Sequence, residues 1–541
     1  MKNNHIKNRL MVLGAATVIG LDLSMPLMAQ GLQPQVEIKS AAVASTGPLT
    51  SMWLTANQWG MYREGAMVYA KVSDTLYRAK DFHLNAGLGG VLNFPANESF
   101  MHEGYLSGKL FFVDFSLGLN AFSPTSIDDG LTSGMFLGSS NARPIPRVSV
   151  GIYRFTDVPL TSGWLQVKGG ISQGYVDDYP AQSRGHQDVF LHEKFAYFRL
   201  SHWKVKPYMG LIHSALFGGK GIKTDFWSTF FAQGSEKLGG GEATNAAGAH
   251  MGLYDFGVDY EFNGWNMKLY LQKPFGDGSG LRLNAGNNRD YICGIWLQNG
   301  SGGKIIKGVS AEVIKTTYQS GPGFPDPYDA ELVDPDNPSV VGVYFWPGSM
   351  DDPAAFMAKY YPDVPSDGWD KYDITAWLEG KVNHGHHFGG RDDYMNNGMY
   401  YSGWTYHGRS TGTPLFHTAD QVRAYAPGWV FRDEGTYFVN NRIKGLHVGV
   451  EGQLCTIEYR LKMTYTKNYG SYSREYEGRW SWTKTDDYFY REGLNQFYFG
   501  LDMNKPVTPS KRTNVFVSLG LDSGQLYESW GAKAGLAITL R

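Results

Sequence analysis

From Cys455 to Thr466 the chain alternates between two kinds of residue without a break. Cys455, Ile457, Tyr459, Leu461, Met463 and Tyr465 fall on one side; Thr456, Glu458, Arg460, Lys462, Thr464 and Thr466 fall on the other. Successive side chains of a strand point to opposite faces, so the segment describes a wall with an oily side and a charged side. A soluble antiparallel sheet with one face on its core alternates in the same way, so repetition is the test.

The pattern does repeat. Tyr254, Phe256, Val258, Tyr260 and Phe262 interleave with Asp255, Gly257, Asp259 and Glu261. After Asn263 and Gly264, Trp265, Met267, Leu269 and Leu271 alternate with Asn266, Lys268, Tyr270 and Gln272. This is a hairpin with a two-residue Asn-Gly turn. Similar stripes run through Phe111, Val113, Phe115, Leu117 and Leu119, through Phe497, Phe499, Leu501 and Met503, and through Val515, Val517, Leu519 and Leu521. Candidate strands fall at 36–44, 65–73, 81–94, 106–120, 147–155, 164–175, 192–201, 205–214, 252–262, 265–273, 291–298, 305–318, 442–451, 455–466, 494–503, 514–522 and 531–540, with a less regular one at 398–403. The expected fold is all-β, a transmembrane antiparallel β-barrel. Bacterial single-chain barrels have even strand numbers, which gives about 18 strands, with 16 the nearest alternative.

Composition and termini agree. Charged residues are 18% of the 541, below the roughly 25% of soluble domains. Aromatics at 15% suit interfacial girdles, and 68 glycines suit turns and crowded walls. A net charge of −2 lacks the basic face of a nucleic-acid binder. Lys2, Lys7 and Arg9 precede an apolar stretch ending at Ala29, which reads as a signal peptide over 1–29 cleaved before Gln30. No later run approaches the ~20 apolar residues of a membrane helix. The rest, 30–541, reads as one barrel domain of the bacterial outer membrane. Lys533, Gly535, Ile538 and Leu540 resemble the C-terminal signal read by the barrel-assembly machinery, with Arg541 in place of the usual aromatic. Cys293 and Cys455 read as free thiols on the outer face, a disulfide being the lesser alternative.

The loops are unequal, as expected when periplasmic turns are short and extracellular loops long. The longest spans about 320–440. Its first part is rich in Pro and Asp, 351–360 reads as a short helix, and such an excursion is the natural place for a binding surface.

Three stretches carry a resemblance. The first is Trp53-Leu54-Thr55-Ala56-Asn57-Gln58-Trp59-Gly60. The second is Leu191-His192-Glu193-Lys194 with Gly210-Leu211-Ile212-His213 and Phe217-Gly218-Gly219. The third runs from Asn396 through Tyr400, Trp404, Tyr406 and Arg409 to Gly412-Thr413-Pro414. Together they resemble the capsule-assembly Wzi family, outer-membrane barrels that act as lectins for capsular polysaccharide. The resemblance implies a barrel of about 18 strands that binds exported polymer at the cell surface and supports capsule assembly. Better-known members carry an N-terminal helical bundle at the periplasmic end; here 30–53 reads as a strand and a loop.

Sugars need flat aromatic faces and amides, carboxylates or guanidinium groups. Asp392, Tyr394, Asn396, Asn397, Tyr400, Trp404, Tyr406 and Arg409 supply both within one segment and are the candidate ligand-binding residues; girdle, loop-core and turn roles are the alternative. His384, His386 and His387 form the only histidine cluster, but their spacing is a poor zinc signature and no metal is assigned. Asp128-Asp129, Asp177-Asp178, Asp351-Asp352 and Asp392-Asp393 read as turns, since glycoside hydrolysis needs carboxylates placed across a bond. No cofactor motif and no catalysis are expected. Inner-face charges such as Asp255, Asp259, Glu261, Lys268, Glu312, Glu458, Arg460 and Lys462 either line a channel or interlock to close the lumen, and the closed reading is favoured. The expected protein is a monomeric surface lectin contacting polysaccharide and outer-membrane lipid; the alternative is a porin or sugar-transport channel.

Overall fold

The computed structural model describes residues 33–540 except 95–98, 125–129, 180–183, 239–245, 279, 284–287, 301–304, 322–351, 371–372, 375–376, 378–389, 391, 432–435 and 477–484. Eighteen strands form one closed antiparallel sheet. They are β1 (Gln35–Ser45), β2 (Gly65–Arg78), β3 (Phe82–Phe94), β4 (Phe100–Leu110), β5 (Val113–Leu119), β6 (Pro146–Asp157), β7 (Leu165–Val176), β8 (Val189–Leu200) and β9 (Val205–Gly218). There follow β10 (Ala249–Phe262), β11 (Trp265–Phe275), β12 (Tyr291–Asn299), β13 (Gly308–Lys315), β14 (Ile443–Leu454), β15 (Ile457–Asn468), β16 (Leu494–Pro506), β17 (Thr513–Gly524) and β18 (Ser529–Leu540). Each pairs with its sequence neighbours, and β1 joins β18 with Ile38 opposite Ile538, so no edge is left open.

The two faces are those the alternation describes. On the β14–β15 hairpin, Leu446 lies opposite Tyr465 and Val448 opposite Met463, with Leu446 and Tyr465 exposed on the outside. Between them His447, Thr464 and Lys462 point inward and are buried. Inward charges interlock: Arg460 meets Glu451 at 2.7 Å, Arg199 meets Asp259 at 2.8 Å, Lys268 pairs with the same Asp259, and Lys206 meets Glu261 at 3.3 Å. For the more buried of these, Lys268 and Arg199 with Asp259, such pairing satisfies charge away from water.

Two strand readings change. The candidate at 106–120 is a hairpin, β4 and β5, turning at Phe111 and Phe112, with Phe111 at φ 54°. The candidate at 398–403 is no strand; it lies in the long loop. These differences cancel, so the count stays at 18. Cys455 and Thr456 form the turn before β15 rather than its first residues, with Cys455 at φ 53°. The Asn263-Gly264 turn is as read, both residues having positive φ (46° and 77°), the type I′ requirement. Cys293 and Cys455 are free and exposed.

The start of β1, the end of β18 and the short turns (79–81, 111–112, 201–204, 263–264, 455–456) share one end of the barrel. That end faces the periplasm in barrels of this kind. The opposite end carries the long connections 46–64, 120–145, 219–248, 276–290, 316–442 and 469–493. A helix at Pro353–Tyr360, its first turn capped by Asp352 accepting from the Ala355 N–H at 3.0 Å, occupies the stretch read as helical.

Candidate functional site

Several long connections turn inward and fill the mouth of the barrel. The 46–64 loop docks on β14–β18. The Asp522 carboxylate accepts from the Ser51 hydroxyl at 2.9 Å and the Met52 N–H at 2.8 Å, and the Lys533 ammonium donates to the Leu54 carbonyl at 3.0 Å. Trp53 packs on the His447 ring at 5.5 Å, with the Lys462 ammonium 4.2 Å from its own ring centre. Gly500 is the seat for this indole, because a Cβ there would stand 2.4 Å from the Trp53 Cβ.

The 120–145 loop docks on the facing wall. Glu312 accepts from the Ser133 N–H at 2.7 Å, and Ser310 donates to the Leu131 carbonyl at 2.6 Å. Onto it folds the C-terminal part of the 316–442 connection: the Gly138 and Ser139 N–H groups both donate to the Thr411 carbonyl at 3.0 Å, and Asn141 donates to the Ser410 carbonyl at 3.1 Å. Phe136 stands edge-on to Tyr394 (5.1 Å) and Phe416 (5.8 Å). These loops form one plug with its own buried core.

The structure brings the candidate ligand-binding residues together, but as the inner layer of this plug. Asp392 accepts from the Gly276 N–H at 3.1 Å and from Ser320. Tyr394 is fully buried, its N–H donating to the Gln319 side chain at 2.6 Å. Asn396 brackets the backbone of Phe438. Asn397 is half-buried and accepts from the Met399 N–H at 2.9 Å. Tyr400 donates to the Gly218 carbonyl at 2.9 Å, and the Trp404 indole to the Ser214 hydroxyl at 3.5 Å. Tyr406 is buried, and burial pushes its phenol up to about 12. Arg409 reaches the Thr55 and Tyr62 carbonyls at 3.3 and 3.0 Å, tying this segment to the 46–64 loop; loss of water pulls its guanidinium down to about 10. Of the eight, Asn397 and Arg409 are half-buried and the other six are buried.

Of the Asp pairs, Asp177-Asp178 and Asp392-Asp393 are similarly engaged, whereas Asp128, Asp129 and Asp351 lie outside the described residues. Asp178 accepts from the N–H groups of His186 (2.6 Å) and His407 (2.9 Å), while Asp177 accepts from Tyr175 at 3.0 Å. Burial raises the Asp178 carboxyl and lowers the His186 imidazole. Asp393 accepts from Asn396, Asn441 and Ser473. Among the described residues, no group of three or more His, Cys, Asp or Glu is placed to hold a metal; His384, His386 and His387 lie outside them. Of the second motif, His192, Lys194 and His213 face out of the wall. The helix Phe226–Phe231 covers them there, Phe230 lying 4.8 Å from the His192 ring.

Above the plug lies a half-exposed aromatic platform that the sequence reading passed over. Trp429 stacks on Phe489 at 5.8 Å and 22°, and touches Phe431 at 4.8 Å. Tyr488 and Tyr490 stand edge-on beneath it, both at 5.8 Å, and Tyr425 stacks on Tyr527 at 5.4 Å. Arg423 and Arg474 each lie 5.1 Å from the Phe431 ring, and Asp420 accepts from Tyr437 at 2.7 Å. Exposed Asp486, Asp487 and Arg491 flank the Tyr488-Phe489-Tyr490 run. Flat apolar faces ringed by charged groups, at the outward end of the barrel, are what a sugar chain requires. The local signals were Gly428-Trp429-Val430-Phe431 and Asp487-Tyr488-Phe489-Tyr490-Arg491, aromatic runs that alternate with nothing and so do not belong to a wall.

No family model matches the sequence, and no curated protein is similar to it in sequence. Among solved structures, Wzi, an outer-membrane protein involved in group 1 capsule assembly in Escherichia coli and described as a carbohydrate-binding β-barrel, superposes with a TM-score of 0.52 at 12% identity, covering 99% of this chain and 86% of that one. OccK3 (OpdO) of Pseudomonas aeruginosa follows at 0.43 and 8% identity, covering 95% and 97%, and OpdL of the same organism at 0.41 and 8%, covering 94% and 99%. The chain is a closed antiparallel β-barrel of 18 strands, and its fold is that of Wzi.

Proposed function

We propose that this protein is a surface lectin of the bacterial outer membrane, binding exported or capsular polysaccharide at the mouth of a plugged barrel and supporting its assembly there, without turning it over. The observation that carries the reading is the Trp429–Phe489 platform resting on an interlocked plug, which offers a polymer somewhere to lie and little room to pass. The carbohydrate binding of Wzi, whose fold it shares, points the same way. The candidate residues from Asp392 to Arg409 then act by shaping the plug beneath the platform. Residues 1–29 act as a signal peptide, which N-terminal sequencing of the mature chain tests: Gln30 should be its first residue. Insertion by the barrel-assembly machinery and a monomeric state complete the proposal.

The decisive test is retention of the host's own capsule. Deletion should leave export intact while polysaccharide moves from the cells to the medium, and unchanged cell-bound polymer would end the proposal. Planar-bilayer recording addresses the channel alternative: a steady conductance of the purified protein contradicts a plugged lectin.

A further inference from the structure

The plug does not fill the whole lumen. Along the β3–β6 wall, toward the periplasmic end, a cavity of about 260 Å³ remains. Its lining is formed by inward-facing positions of consecutive strands, among them His83, Asp114 and Ser149, together with Asn120, Phe122 and Tyr153. His83 and Asp114 stand one residue inside β3 and β5, next to the short turns. On the mouth side the cavity is bounded by Arg147, which meets Glu193 at 2.5 Å.

We infer that this cavity is a second carbohydrate site, one that takes a single neutral pyranose ring from the periplasmic side. Three observations carry this. The volume lies just below the ~300 Å³ at which ligand pockets usually begin, and corresponds to roughly nine waters at ~30 Å³ each, which suits one sugar ring and not a chain. One wall is aromatic: Phe122 lies 4.8 Å from Tyr153 and 6.0 Å from Phe195, giving the C–H patch of a pyranose a surface to lie on. The other walls bring hydrogen-bonding groups that the fold does not consume. The His83 imidazole has no hydrogen-bond partner among the described residues, and the Asn120 amide spends one donor on Ser116 at 3.1 Å and keeps its carbonyl. Asp114 accepts from the Tyr153 N–H at 3.1 Å and stands 3.9 Å from Lys109, which leaves it acceptor capacity. The cations at the cavity are already partnered, Arg147 by Glu193 and Lys109 by Asp114, so an uncharged sugar fits better than an acidic one. This site lies beneath the plug, shares no lining residue with the platform and does not depend on it.

Saturation-transfer NMR on the full chain in detergent, with glucose, galactose, mannose and N-acetylglucosamine as probes, tests the inference. At least one sugar should take up saturation on its ring protons. Ser149→Trp, which fills the cavity, should abolish the transfer while leaving polymer binding at the mouth unchanged. Asn120→Ala and Tyr153→Ala should each weaken binding by about tenfold, and they serve if the bulkier variant fails to fold. Absence of transfer from every probe, transfer that survives Ser149→Trp, or affinities unchanged in both alanine variants would overturn it. Failure of the mouth lectin would show instead as loss of polymer binding with hexose transfer intact.

Discussion

The carboxamide of Asn396 accepts from the Phe438 N–H at 2.8 Å and donates to the Phe438 carbonyl at 2.9 Å, so one side chain serves the backbone as a neighbouring strand would. Its oxygen also accepts from the Tyr437 N–H at 3.1 Å, and its nitrogen donates to the Asp393 carboxylate at 3.1 Å. Asn396→Ala should strand these buried groups at a cost of roughly 1–3 kcal/mol each. Faster amide exchange across 436–440, with the barrel still resistant to unfolding in detergent, is the expected result; unchanged protection would show that the bracket is dispensable.

Arg409 makes a comparable tie between segments far apart in the chain. Its two contacts are backbone carbonyls at different points of the 46–64 loop, which a planar fork can reach together and a single ammonium cannot. Arg409→Lys should therefore behave nearly as badly as Arg409→Ala. Limited proteolysis within 46–64 measures this, and both variants should be cut faster than the wild type.

Acid should loosen the plug. His417 is buried between Tyr425 (3.1 Å) and Tyr498 (3.4 Å), and loss of water pulls its imidazole down to about 4. His407 is lowered to about 4 by burial first and the nearby Arg143 second. Between pH 6.5 and 4 the unfolded chain holds protons that these folded histidines refuse, so stability falls as pH drops through that window. For His417 the loss is about 3 kcal/mol, at ~1.4 kcal/mol for each unit of depression. Asp290, raised to about 6 by burial, acts in the opposite sense, stabilising more as pH falls from 6 to 4. The buried Asp178 and His186 likewise act in opposite senses. Within 405–440 itself the groups shifted in this window are His407 and His417, so amide exchange there should quicken at pH 4.5 relative to pH 7, and His417→Gln should blunt the change.

The walls were legible in the sequence because each strand has lipid on one side and the lumen on the other, so every residue of β15 declares its face. Turn chemistry was less so. Phe111 and Cys455 take positive φ without being Gly or Asn, which hid the β4–β5 turn inside a continuing stripe and carried the β15 reading two residues too far. The plug was illegible for a different reason: Tyr400 and Trp404 are drawn inward by partners on a wall about 190 residues earlier, Gly218 and Ser214, and no local pattern encodes that separation. For the platform, Trp429 and Phe489 are similarly remote in sequence and meet only through the fold.

If the platform binds sugar, Trp429→Ala and Phe489→Ala should each weaken polymer binding about tenfold, near 1.4 kcal/mol, while the circular dichroism of the barrel is unchanged. Asn397→Ala, at the edge of the inner layer, should have a smaller effect. Affinity gels cast with the host's capsule provide the comparison.

The docking of the 46–64 loop bears on assembly. Ser51 and Leu54 are held by Asp522 on β17 and Lys533 on β18, and β18 is the strand that zips to β1. The seam thus carries on its inner side the anchors of a loop made near the start of the chain. Docking of the early loop and closure of the ring therefore share the same strands, so each contact that seats the loop on Asp522 and Lys533 also holds the last two strands in place at the seam.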